Sequence, residues 1–352
     1  MSSSASTAPS SLCILRLSAI GDACNAASVV QAIQRHYPQT RITWVIGRVE
    51  AALLGSLPGI EFIIFDKSRG WRAYRDLYRA LAGHRFDVLL HMQLALRANI
   101  ASLCIRARRR IGFDRARSKE LHSLFINERI GAREGMHVLD GFRQFATAIG
   151  VPVAPPEWAL PVAEADRDWA RAQQVADARG HVILVPAASA PERNWRVERY
   201  AALAAHAAAQ GFAVYLCGGP TDTERRLADE IIAHSTVPLV DLVGRSSLRQ
   251  LYALLQQASL VVAPDTGPVH MAVAAGTPVI GLYGHSNPDR TGPYRFREYV
   301  VDTYHDALVT QRGKTADDAR WGQRVYGDDL MDAIAVEQVT TMFDRVVAEQ
   351  GL

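Results

Sequence analysis

Leu260-Val261-Val262-Ala263-Pro264-Asp265-Thr266-Gly267-Pro268-Val269-His270 is the stretch that decides the fold. Its apolar run has the length and β-branched content of a buried strand, and the residues after Asp265 open an apolar helix through Ala272 and Ala275. Open α/β sheets bind their ligands at such strand ends. Asp265, Thr266, Gly267 and His270 therefore stand where a polar ligand is expected, with Gly267 admitting close approach and the first helix amides, over Thr266 to Val269, facing an anion such as phosphate. An Asp N-cap followed by a turn explains Asp265 and Gly267 without any ligand, so the stretch settles fold class before chemistry.

The same alternation of strand and helix runs outward in both directions. In the second half, strands are expected at 182–185, 213–217, 239–243, 260–263 and 279–283, separated by amphipathic helices. The first half repeats the theme, with strands at 12–17, 42–46, 62–65 and 88–91, a helix through Val29, Val30 and Ile33, and another around 74–81. Between the halves, Pro152, Pro155, Pro156 and Pro161 exclude regular helix and suit an exposed connection. The expected organisation is a flexible tail over 1–11, a Rossmann-like domain over 12–155 and a second over 156–352, facing each other across a cleft. A last amphipathic helix, carrying Val339, Met342, Phe343, Val346 and Val347 on one side, fits against either domain.

Composition is that of a folded globular protein: 352 residues, 49% apolar and 21% charged. The net charge of +3 is unevenly spread, because residues 97–133 hold ten Arg or Lys against three Asp or Glu and the remainder sums to −4. One surface should attract anions. The basic run Arg106, Arg108, Arg109, Arg110, Arg115, Arg117 and Lys119, with Lys67, Arg69 and Arg72 before it, suits an acidic acceptor or an anionic membrane face better than nucleic acid, since no nucleic-acid-binding motif accompanies it. A merely solvated basic face remains open. No apolar stretch is long enough to span a bilayer and the Ser-rich start lacks the parts of a signal peptide, so a cytoplasmic protein is expected. Cys13, Cys24, Cys104 and Cys217 show no ligand spacing and read as reduced structural thiols. Asp166-Arg167-Asp168 falls within an expected helix rather than at a strand end, and no metal is assigned to it.

Three further strand ends carry chemistry. Leu17-Ser18-Ala19-Ile20-Gly21-Asp22 places a carboxylate at the mouth of the first strand, where Asp22 is a candidate general base and, on the competing reading, an N-cap. Gly21 is the sole glycine there, so the dinucleotide fingerprint is absent, and no Walker A loop occurs anywhere. The strand at 182–185 leads into Ala187-Ala188-Ser189-Ala190-Pro191-Glu192-Arg193-Asn194-Trp195, whose Ser189 and Arg193 suit a diphosphate: a hydroxyl and a forked cation. The turn Gly218-Gly219-Pro220-Thr221-Asp222-Thr223-Glu224 offers Glu224 to the hydroxyls of a ribose, or to the dipole of its own helix.

Taken together, LRLSAIGD, AASAPERNW, GGPTDTE and DTGPVHMAVAAGTPVIGLYG resemble glycosyltransferase family nine across almost the whole chain, and GFDRARSKE, SLFINERI and MHVLDGF resemble its heptosyltransferase I-like branch. The resemblance implies a GT-B fold, an N-terminal domain for a Kdo-lipid A acceptor, a C-terminal domain for ADP-L-glycero-β-D-manno-heptose, inversion at the anomeric carbon and no metal or other cofactor. It implies peripheral contact with the inner membrane at its cytoplasmic face. By position, Asp22 matches the family's catalytic base, and Gly21, Ser189, Arg193, Glu224, Asp265, Thr266, Gly267 and His270 match donor-contacting positions. Arg193 stands where the family has Lys, which exchanges a point charge for a planar fork. Lys67, Arg69, Arg115 and Lys119 are the candidates for gripping the acidic acceptor. Two rival readings stay open: a sugar-nucleotide epimerase on the same two-domain plan, and a non-catalytic nucleotide-sugar-binding regulator.

Overall fold

The computed structural model describes residues 8–132, 137–316 and 318–352. Met136, in the MHVLDGF segment, and most of the expected tail lie outside them; of that tail, Ser10 donates from its backbone and hydroxyl to the Asp87 carboxylate, and the first strand already begins at Ser11.

The chain divides into two units, 1–161 and 162–352. In the first, strands β1 (Ser11–Leu15), β2 (Arg41–Gly47), β3 (Ile60–Phe65), β4 (Phe86–His91), β5 (Ala107–Gly112) and β6 (Glu128–Arg129) form one sheet in the order β3-β2-β1-β4-β5-β6. All of its pairings are parallel, so every strand ends on the same edge. Cys13, Leu15, Val45, Phe65, Leu77, Phe86 and Leu89 belong to one buried cluster, as expected of strands covered on both faces by helices. The helix Ile20–His36 follows β1 and is largely buried. The proline-rich segment is irregular, yet it is pinned to that helix: the Trp158 indole donates to the Cys24 carbonyl at 2.8 Å, and Gln31 and Ala159 exchange side-chain and backbone bonds.

The second unit repeats the plan with β7 (Gly180–Leu184), β8 (Phe212–Leu216), β9 (Val240–Asp241), β10 (Leu260–Pro264), β11 (Val279–Tyr283) and β12 (Val300–Asp302), again all parallel, in the order β12-β11-β10-β7-β8-β9. Periodicity alone missed β12 because its three residues carry too little pattern, and it extended β9 well beyond the two residues that pair. The final helix, Val336–Gln350, buries Val339, Phe343, Val346 and Val347 in the core of this second unit beside Phe212 and Leu216. That choice was open in the sequence.

The basic run is corrected most. Arg108, Arg109 and Arg110 form part of β5, and Arg109 is clamped on Glu128 through two bonds of 2.9 and 2.7 Å. Arg110 donates to the carbonyls of Phe125, Ile105 and Ser102, and the buried Arg117 to Asp114, Gln144 and the Gly131 carbonyl. Three of the seven cations from Arg106 to Lys119, namely Arg109, Arg110 and Arg117, are therefore internal scaffolding, because an arginine can satisfy several loop carbonyls at once from a single planar head. Arg115 and Lys119 remain on the surface.

Candidate functional site

Asp22 is not the N-cap of its helix. That position is Ala19, which offers no side-chain cap, and Asp22 sits in the first turn with its carboxylate paired to the Arg16 guanidinium. About a third of the Asp22 side chain is exposed (33%), whereas Arg16 is buried. Arg16 is held from several sides: Nη1 donates to the Met92 carbonyl at 2.6 Å, and the head lies 5.2 Å from the centroid of the Phe142 ring. The loop leading into the Asp22 turn is tied to the end of β4 by Gln93, which accepts from the Leu17 amide at 2.7 Å and donates to the Ser18 hydroxyl. Gly47, at the end of β2, packs so closely that a β-carbon there would collide with the Leu17 carbonyl and the Glu50 carboxyl. Glu50 is itself buried, and burial pushes its carboxyl above the usual range. A partly exposed carboxylate on a fixed cation, in a helix turn whose preceding loop is braced from two neighbouring strands, can accept a proton without moving.

Sequence reasoning missed Arg16 and Gln93. A signal for Arg16 existed: a charged residue between leucines at the end of an otherwise apolar strand demands a buried partner.

Lys67 and Arg69 lie in a single 3₁₀ turn directly after β3, and Arg115 and Lys119 in the turn after β5, all exposed. Arg69 pairs with Asp76 at 2.8 Å. In the sheet order, β3 and β5 each stand two strands from β1, so these turns flank the end of β1 at roughly 10 Å on either side. The four cations and Asp22 thus share one edge of the first unit.

In the second unit, β7 and β10 are neighbours, which brings the ends of two motifs together. Arg193 Nη1 donates to the Asp265 carboxylate at 3.0 Å and to its carbonyl at 3.2 Å, while Nη2 donates to the Ser189 hydroxyl at 3.0 Å. The Nε of Arg193 is buried without a protein acceptor. Asp265 is thereby an ion-pair partner rather than the N-cap of the helix Gly267–Ala275, a position that falls to Thr266 without a side-chain cap. That helix start offers fewer donors than the run of amides expected from sequence. Pro268 has no N–H, and the Val269 amide donates to the Thr266 carbonyl at 3.2 Å. His270 is buried on the first turn of the same helix. The loop after β7 is closed by Asn194, which accepts from the Ala188 amide at 2.7 Å, and anchored by the buried Trp195, whose indole donates to the Ile334 carbonyl.

Glu224 stands at the end of β8, the other neighbour of β7, but it closes its own loop. One carboxylate oxygen accepts from the Gly219 amide at 2.9 Å and the other from the Thr221 hydroxyl at 2.7 Å, and Thr221 caps the helix in return. A β-carbon on Gly219 would stand 2.8 Å from the Glu224 carboxylate, so the glycine is what lets the loop close. Asp166 and Asp168 lie on the helix Glu164–Ala172, with Asp168 paired to Arg171. Among the described residues, no group of three or more His, Cys, Asp or Glu is arranged to hold a metal ion. Burial pushes the thiols of Cys24 and Cys217 up to about 12, which makes them inert at neutral pH.

The sequence model of glycosyltransferase family 9 (heptosyltransferase) matches residues 74–317. The chain is 42% identical over 332 residues to the lipopolysaccharide core heptosyltransferase OpsX of Haemophilus influenzae, covering 94% of this chain and 95% of that protein. In fold it is similar to a family 9 glycosyltransferase of Veillonella parvula, with TM-score 0.78, 20% identity and 97% of each chain covered. It is similar as well to the E. coli heptosyltransferase WaaC solved with ADP, with TM-score 0.72, 17% identity, and 96% of this chain and 99% of that one covered.

Proposed function

The chain belongs to glycosyltransferase family 9, the heptosyltransferases, with an α/β fold of GT-B type, and from that premise we propose that it moves heptose from ADP-heptose to Kdo of the lipopolysaccharide core. In this reading the Kdo hydroxyl oxygen attacks the anomeric carbon, the bond from that carbon to the diphosphate breaks with its electron pair leaving on ADP, and the hydroxyl proton passes to Asp22. One displacement inverts the configuration. Asp22 is the general base and Arg16 its positioning residue.

The second unit takes the donor. The observation that carries this assignment is the meeting of Ser189, Arg193 and Asp265 at two adjacent strand ends, with the Nε–H and one Nη2 hydrogen of Arg193 left over for diphosphate oxygens. Charge developing on the departing phosphate is then met by a cation already fixed in place. Gly21, Glu224, Thr266, Gly267 and His270 complete the donor contacts, and Lys67, Arg69, Arg115 and Lys119 hold the acidic acceptor. No metal enters the proposal, since the leaving group is neutralised by protein groups. The acceptor is lipid-borne, so the enzyme works at the cytoplasmic face of the inner membrane, in peripheral contact with it.

A mass-spectrometric transfer assay with defined Kdo-lipid A acceptors and a panel of nucleotide-activated sugars tests the reading. Heptosylated acceptor from ADP-heptose is expected; isomerisation of the donor without transfer, as an epimerase would give, or binding without turnover, as a regulator would give, would overturn it.

A further inference from the structure

The helix Trp71–Ala80 buries Ala73 and Leu77 and turns a mixed face of tryptophan, tyrosine and arginine to solvent, with Trp71 78% exposed. Tryptophan is costly to leave in water, and one exposed aromatic residue alone needs no explanation. This one is not alone. Trp71 and Leu96 line a common groove of about 310 Å³ together with Lys67 and Arg97. The backbone amide of Leu96 donates to the Glu120 carboxylate, and Asn99 donates to the Glu120 carbonyl at 2.8 Å, which fixes the next turn beside the groove. There Leu121, at a left-handed φ of 62°, is 66% exposed and Leu124 is 76% exposed. Leu121 thus stands outward at a backbone angle that disfavours side chains, with two-thirds of its surface in solvent.

The charges around these apolar tips are mostly positive, with the Glu120 carboxylate, which accepts from the Leu96 amide, the acid next to Leu121. Nearby carboxylates are engaged, Asp66 by Arg48 and Asp76 by Arg69, and Arg72, Arg75, Arg79 and Arg97 stand outside any ion pair among the described residues. No helix among the described residues is long and apolar enough to cross a membrane. Apolar tips within a cationic ring match the boundary of an anionic bilayer, where tryptophan and leucine enter the headgroup layer and arginines meet lipid phosphates. A protein partner would have to supply both an apolar pocket and a ring of acids.

We infer that this rim docks on an anionic lipid bilayer, with Trp71, Leu121 and Leu124 entering the headgroup layer and Arg72, Arg75 and Arg97 on lipid phosphates. It lies on the strand-end edge that carries Asp22, since the Trp71 helix follows β3 and the Leu121 turn follows β5. The inference deepens the proposed use of a lipid-borne acceptor and is tested without it.

The whole chain is sedimented with vesicles of phosphatidylglycerol and phosphatidylethanolamine, and with vesicles of phosphatidylcholine alone, in the absence of donor and acceptor. Binding to the anionic vesicles, release at about 0.5 M NaCl, and little binding to the neutral ones are expected. Trp71→Ser with Leu121→Ser, and separately Arg75→Glu with Arg97→Glu, should each lower the partition coefficient at least tenfold. Both pairs should keep the wild-type circular dichroism spectrum and wild-type transfer to a delipidated, soluble Kdo acceptor. Equal binding to both vesicle types, wild-type binding by both pairs, or a dimer in sedimentation velocity that the substitutions dissolve would overturn the bilayer assignment. Loss of transfer to the soluble acceptor in unaltered protein would instead overturn the catalytic reading.

Discussion

Arg193 donates to the Asp265 carboxylate at 3.0 Å, so the cation that the sequence offers to a phosphate is already held by an acid from the neighbouring strand end. Both partners are mostly buried, at 13% and 15% exposure. The pair orients the guanidinium and restrains it before any substrate arrives.

Removing either partner should therefore give different losses. Arg193→Ala is expected to weaken ADP-heptose binding by ten- to a hundredfold, about 1.4 to 2.8 kcal/mol, in isothermal titration, and to lower kcat. Asp265→Ala leaves a buried cation unpaired and should cost about 3 kcal/mol of folding stability in urea unfolding. Unchanged donor affinity in the first variant would remove the diphosphate role.

Asp22→Ala should lower kcat by at least about a hundredfold, the scale of general base catalysis, while titrations show ADP binding close to wild type. Turnover at the wild-type rate would remove Asp22 as the base.

Arg16 touches no substrate in this reading and acts through Asp22. Arg16→Met is expected to lower kcat about tenfold or more and to displace the acidic limb of the kcat against pH profile, with the KM for ADP-heptose unchanged. Arg16→Lys, which keeps the charge, should recover part of the rate. A variant that only lost stability, with an unmoved pH profile, would reduce Arg16 to scaffolding.

His122 is buried between Asn99, whose Oδ1 lies 2.9 Å from Nδ1, and the Phe113 amide, which donates to Nε2. Burial, with Arg129 adding to it, pushes the imidazole down to about 4. The folded value is depressed, so the stability tied to neutral His122 is complete above the unfolded value near 6.5 and is lost as pH falls from there through about 4. The neighbouring His91, also buried, is shifted in the same direction. His122→Gln should reduce the slope of unfolding free energy between pH 6 and 5 by up to about 1.4 kcal/mol per pH unit, read from urea unfolding at several pH values. An unaltered slope would show that this histidine protonates without strain to the fold.

Gly47→Ala would force a β-carbon against the Leu17 carbonyl and the Glu50 carboxyl. It is expected to destabilise the chain by about 3 kcal/mol and, because Leu17 lies in the loop that leads into the Asp22 turn, to lower kcat in the fraction that folds. Wild-type stability and rate in this variant would mean that the loop is not braced by β2.

The sequence by itself determined the fold class. Continuous apolar runs ending in Gly, Asp or Ser report parallel strands and the edge where ligands bind, because buried parallel strands must be apolar on both faces and only their ends are free to be polar. Residue order likewise placed Asp22, Ser189, Arg193, Glu224 and Asp265 at strand ends. What each carboxylate and guanidinium does there was decided by tertiary structure alone. Asp22 and Asp265 both read as caps, yet each faces an arginine, one six residues away and the other reached through the pairing of β7 with β10. Glu224 reads either as a ribose contact or as a first-turn acid of its helix, and the structure adds that its carboxylate closes its own turn. Arg109, Arg110 and Arg117 read as surface charge, yet they satisfy loops. A charged side chain is assigned by whichever partner removes it from water most cheaply, and that partner is a neighbour in the sheet for Asp265 but a neighbour along the folded chain for Asp22 and Glu224.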